Sequence, residues 1–120
     1  MITSESEASG VPNRRYNRVE EHIAASVDEA LDDLLGTPVV EAFYAYLLDI
    51  GVSRNDLASK AKLLCSAIDS TFEESSLTIQ RAIARRLYAK LGIEFVPIEG
   101  AGLPEYIRHA SKMNAIKMSV

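Results

Sequence analysis

Apolar side chains recur along this chain at steps of three and four, and glycines at 36, 51 and 92 interrupt the pattern. That spacing keeps one face of a 3.6-residue turn apolar, so it predicts helices rather than strands. Val19, Ile23, Val27, Ala30, Leu31 and Leu34 give a first helix from about Asn17 to Leu35. Gly36 ends it, because glycine takes a left-handed conformation without steric cost. The outer face carries Glu20, Glu21, Asp28, Glu29, Asp32 and Asp33 against Arg18 alone. Asp32 and Asp33 sit where a helix is already negative, a cost that a nearby cation would offset.

Gly36-Thr37-Pro38 is strong punctuation. Thr37 is the expected N-cap, and Pro38 suits a first helical position that needs no N–H. The second helix spans Val39 to Ile50 and stops at Gly51. It is apolar nearly all round, with Glu41 and Asp49 its only charges. Such a helix is buried centrally or presses a second face on a partner. Phe43, Tyr44, Tyr46 and Leu47 are therefore the candidate protein interface. Burial of this helix under the last helix and the Phe95 segment is the competing expectation.

Ser53-Arg54-Asn55-Asp56 resembles a capping box with Asp in place of Glu. It opens a third helix over Arg54 to Thr71, with a break near Ser59. Leu57, Ala61, Leu64, Ile68 and Phe72 form its stripe. Glu73-Glu74-Ser75-Ser76 turns the chain, and a serine there caps the fourth helix, Leu77 to Leu91. Ile79, Ile83, Leu87 and Leu91 are its apolar side; Arg81, Arg85, Arg86 and Lys90 its exposed side. Residues 93–98 are too short and isolated for a sheet and read as an extended connector that lays Phe95 and Ile98 on the core. Pro104 opens a short last helix to about Met113, with Tyr106, Ile107 and Ala110 inward.

These elements predict an all-α fold, a compact bundle of four main helices with the short C-terminal helix across them. Residues 1–15 are rich in Ser, Glu and Gly. Such a segment buries too little to offset its ordering entropy, so a disordered N-terminal arm is expected. One helical domain then covers 16–113, and a frayed tail 114–120.

The length, 120 residues, suits that one domain. The net charge of −4 argues against whole-surface attraction to nucleic acid or to an anionic membrane. No apolar run approaches a membrane span, and the first ten residues do not form a signal peptide. A single cysteine, Cys65, allows no intrachain disulfide. The expected compartment is the cytoplasm.

No catalytic constellation stands out, and no cofactor or metal is expected. Gly100-Ala101-Gly102 lacks the strand before it and the Lys–Ser/Thr after it that a phosphate loop requires. His22 and His109 lie far apart, outside any metal-ligand spacing, and read as surface residues. A phosphohistidine at His22 would be repelled by Glu20, Glu21 and Asp28. Cys65 reads as a small buried hydrophobe.

The basic fourth helix admits three readings. Its cations are a solvated face, a contact with the acidic first helix, or a phosphate-binding surface in which Arg81, Arg85 and Tyr88 form one row and Arg86 and Lys90 another. A separate reading places a small-ligand pocket between helices, lined by Phe43, Tyr46 and Tyr88.

Gly36-Thr37-Pro38-Val39-Val40-Glu41-Ala42-Phe43-Tyr44, Ile79-Gln80-Arg81-Ala82-Ile83 and Leu87-Tyr88-Ala89-Lys90-Leu91-Gly92-Ile93-Glu94-Phe95 together resemble the small archaeal domain called the Nitrososphaera output domain type. The resemblance covers residues 17 to about 96. It implies an α-helical module, found alone or attached to phosphoacceptor receiver domains in signalling proteins. The receiver's parallel-sheet pattern and acidic cluster are missing here, and the resemblance carries no catalytic residue onto this chain.

The expectation is a non-enzymatic helical signalling, output or protein-interaction module that binds a protein partner or a second copy of itself. The alternative is a nucleic-acid-binding regulator that uses Arg81, Arg85, Arg86 and Lys90.

Overall fold

The structure, a computed structural model, describes the backbone of residues 2–119 and the side chains of residues 19–116. The disordered arm expected over residues 1–15 lies outside the residues whose side chains are described. Five α-helices follow in order: α1 (Ile2–Leu35), α2 (Thr37–Asp49), α3 (Ala61–Phe72), α4 (Ser76–Leu91) and α5 (Leu103–Ser119). Single 3-10 turns at Arg54–Asp56 and Glu73–Ser75 flank α3. No strand occurs among the described residues. The all-α bundle expected from the spacing is the fold.

The helix ends follow the punctuation, with local differences. Gly36, not Thr37, precedes α2, at φ +87°. Thr37 is already helical, and its hydroxyl donates to Asp32 at 2.9 Å. At the other end of α2, Gly51 N–H donates to the Leu48 carbonyl and Val52 N–H to the Leu47 carbonyl. That pair of bonds is the Schellman closure, and Leu47 and Val52, both buried, supply its apolar contact. Gly92 and Ile93 close α4 in the same way onto Ala89 and Tyr88.

The break expected near Ser59 is present. Ser53 N–H and the Ser53 hydroxyl both donate to the Asp56 carboxylate, but they head a 3-10 turn, and α3 begins only at Ala61. At the start of α4 the Ser76 hydroxyl donates to Asp69 of α3 instead of capping its own helix. α5 continues past Met113, where the sequence places no glycine or proline to stop it.

α4 is the central element and packs against α1, α3 and α5. Ion pairs from Glu29 to Lys90 and from Asp33 to Arg86 run α1 against α4 in opposite senses. Gln80 meets Leu103, and Tyr88 meets Tyr106 and His109, so α5 runs in the same sense as α4. The connector over 92–102 must therefore return along the bundle. Phe95 packs on Tyr88 and Tyr106 as expected. Ile98 does not pack inward: its side chain is exposed, and Tyr106 holds its backbone N–H and carbonyl.

The core joins Ile23, Val27 and Leu31 of α1 with Phe43 and Leu47 of α2, Leu64 and Ile68 of α3, Ile83 and Leu87 of α4, and Leu103 and Tyr106 of α5. Leu34 was expected on the α1 stripe but is 47% exposed. Leu35, one residue on, packs on the core in its place.

Candidate functional site

The four residues expected to form a protein interface divide. Phe43 is 3% exposed, packs on Phe72 of α3 at 5.2 Å between ring centroids, and belongs to the core together with Leu47. Those two cannot touch a partner while the chain is folded. Tyr44 is half-buried, with the Arg54 guanidinium 4.0 Å from its ring centroid. Burial, with the Asp28 charge beside it, pushes its hydroxyl well above the ordinary tyrosine range. Only Tyr46, 41% exposed, faces solvent.

The exposed residues on either side of Tyr46 in the sequence are the more informative feature. Eleven large apolar side chains are exposed among the described residues, and Leu34, Val39, Tyr46, Leu48 and Ile50 are five of them. Burying Val40, Phe43 and Leu47 turns one narrow face of α2 inward. At 100° per residue the rest of the helix, an arc of about 200°, is left outside. That arc also carries the exposed carboxylates Glu41 and Asp49 and no cation. A concentration of this kind marks an interaction surface more than an ordinary solvated face does.

The four cations expected on α4 also divide. Arg86 pairs with Glu29 and Asp33, and Lys90 with Glu29 at 3.0 Å. The contact between acidic first helix and basic fourth helix is therefore made within one chain. The hydrogen bond from Lys90 holds the Glu29 carboxyl below the usual range. It also answers the unfavourable end charge of α1, since Asp33 now has Arg86 beside it and Asp32 has the Thr37 hydroxyl.

Arg81 and Arg85 make no ion pair among the described residues. Arg81 is half-buried with an unpartnered Nε, and Arg85 lies 4.9 Å over the Phe95 ring. Tyr88, expected in their row, is a core residue whose hydroxyl donates to the Tyr106 carbonyl at 3.0 Å. Nor do Phe43, Tyr46 and Tyr88 line one pocket. Phe43 and Tyr46 group with Phe72, whereas Tyr88 groups with Phe95, Tyr106 and His109.

Sequence reasoning missed the polar hub at Gln80. Its Oε1 accepts from Leu103 N–H at 2.8 Å and from the Cys65 thiol at 3.1 Å. Its Nε2 donates to Asp69 and to the Ser76 hydroxyl. Every hydrogen-bonding position of the amide is used. The signal was there: Gln80 lies four and seven residues before the apolar Ala84 and Leu87, on the inward face. Cys65, expected to be a small buried hydrophobe, is half-buried beside this hub. Burial, and then Asp69, push its thiol up.

His22 is half-buried, and His109 is exposed and stacked on Tyr88. No group of three metal-ligating side chains comes together among the described residues. No helix among them is long and apolar enough to cross a membrane. No family model matches the chain, and no curated protein or solved structure shows significant similarity to it.

Proposed function

We propose that the chain is a non-enzymatic helical signalling or protein-interaction module that associates with itself through the outer arc of α2. The observation that carries this reading is the set of exposed apolar side chains between Leu34 and Ile50, of which Val39, Tyr46 and Ile50 share one side of α2. Removing such side chains from water stabilises association by roughly 25 cal/mol per Å² of apolar surface, before the costs of ordering two bodies. The nucleic-acid alternative has less support. Arg86 and Lys90 are engaged by α1, which leaves Arg81 and Arg85 for phosphate.

Light scattering across a concentration series tests the proposal. The chain should associate, and Val39→Glu with Tyr46→Glu should return it to single copies while circular dichroism stays helical. A chain that is single at every concentration, or a double variant that associates unchanged, removes the reading. A gel shift at low salt tests the alternative; absence of retardation near about 10 μM removes it.

A further inference from the structure

We infer that the association is heterologous: the acidic apolar arc of α2 in one copy docks on the outer flank of α4 in the next. This rests on the self-association proposed above and assigns it two different surfaces. The first is the row of Val39, Tyr46 and Ile50 on α2, with Asp49 on its flank and Glu41 farther round the helix. The second is the row Leu77, Arg81 and Arg85, spaced four residues apart on successive turns of α4. Leu77 and Arg85 are exposed. Beside the row, where Arg85 covers Phe95, the connector exposes Val96 and Ile98.

Charge selects this pairing. Glu41 and Asp49 make no ion pair in their own chain among the described residues, and neither do Arg81 and Arg85. A symmetric contact of α2 on α2 would set acidic arcs that carry no cation against each other. Like charges juxtaposed across an interface disfavour it, whereas opposite charges fix orientation and speed encounter. The α4 row offers the opposite sign on a surface that is also part apolar. Arg86 and Lys90 do not compete for this role, because α1 has claimed them and they lie about 140° round the helix from Arg81 and Arg85.

The two surfaces cannot meet within one molecule. α1 packs against both α2 and α4 and carries its own ion pairs to α4. The arc of one copy must therefore reach the flank of another, whose own arc is left free for a third. A contact of this type builds a ring if the rotation between copies closes and an open filament if it does not.

Two variants and their mixture decide the matter by sedimentation velocity. Tyr46→Glu disables the arc; Arg85→Glu, at an exposed position, disables the flank, with Arg81→Glu/Arg85→Glu as the stronger form. Circular dichroism confirms that each is folded. Each alone should be single at concentrations where the unmutated chain associates. An equimolar mixture should form a pair and stop there, because each partner keeps only one working surface. If Arg85→Glu and the double variant associate like the unmutated chain, or the mixture forms no pair, the heterologous contact is wrong while self-association stands. If the unmutated chain is single throughout, both fall, and the two surfaces are left to another protein.

Discussion

Gln80 of α4 accepts the first backbone N–H of α5, that of Leu103, at 2.8 Å. A helix start normally leaves four such donors without intrahelical partners. Here a side chain 23 residues earlier satisfies one of them inside the core. Glu105 takes another, accepting from Gly102 N–H at 2.8 Å, and those backbone bonds hold its carboxyl below the usual range. The amide of Gln80 thus registers α5 against α4, with α3 tied in through Asp69 and Cys65.

Gln80→Leu keeps the volume and removes the bonds. It strands a buried backbone donor and should cost about 1–3 kcal/mol in a urea titration. The Cys65 thiol loses its acceptor as well, so it should react faster with an alkylating reagent than in the unmutated chain. Unchanged stability would show that the hub is not a structural tie.

Phe43 and Tyr46 are three residues apart and should behave as opposites. Phe43→Ala removes a buried ring packed on Phe72 and should destabilise by about 3–5 kcal/mol. Tyr46→Ala should stay within about 1 kcal/mol in dilute solution, because its side chain faces water. Chemical denaturation of both variants checks the assignment of Phe43 to the core.

The ion cluster of Glu29, Arg86 and Lys90 predicts a pH response. The folded-state pKa of Glu29 is lowered, chiefly by the Lys90 hydrogen bond. Its contribution is therefore present above the unfolded value, roughly 4.3, and is lost as pH falls through the folded value. Asp56 shifts the same way through Ser53. Stability should fall on acidification below about pH 4.5, and Glu29→Gln should flatten that limb.

On the alkaline side Tyr44 has a raised folded-state pKa, for which burial is the main cause. Its contribution is full below the unfolded value, about 10, and declines as pH rises beyond it. Tyr44→Phe should flatten the loss of helical signal above pH 10, followed by circular dichroism.

Gly51→Ala isolates a backbone effect. A Cβ there would meet nothing within 4 Å, but φ is +89°. The cost should be about 1–2 kcal/mol, arising from conformation alone. A neutral result in thermal unfolding would mean that the Schellman closure of α2 relaxes without penalty.

Local periodicity was enough to place the helix stops up to Gly92, but not the start of α1 or the end of α5. The stops at Gly36, Gly51 and Gly92, the break before Ala61 and the inward positions Ile79, Ile83, Leu87 and Leu91 all follow from it. These depend on neighbours three and four residues away, and a sequence displays such neighbours directly. Which face of α2 is covered does not follow, because Phe43 is buried by Phe72, 29 residues later, and Tyr46 is left out. The division of the α4 cations is of the same kind: Glu29 and Asp33 claim Arg86 and Lys90 from across the bundle. Charge and greasiness are properties of a residue and can be read one at a time. Being covered or neutralised is a property of a pair, and only the packing of distant segments decides who the partner is.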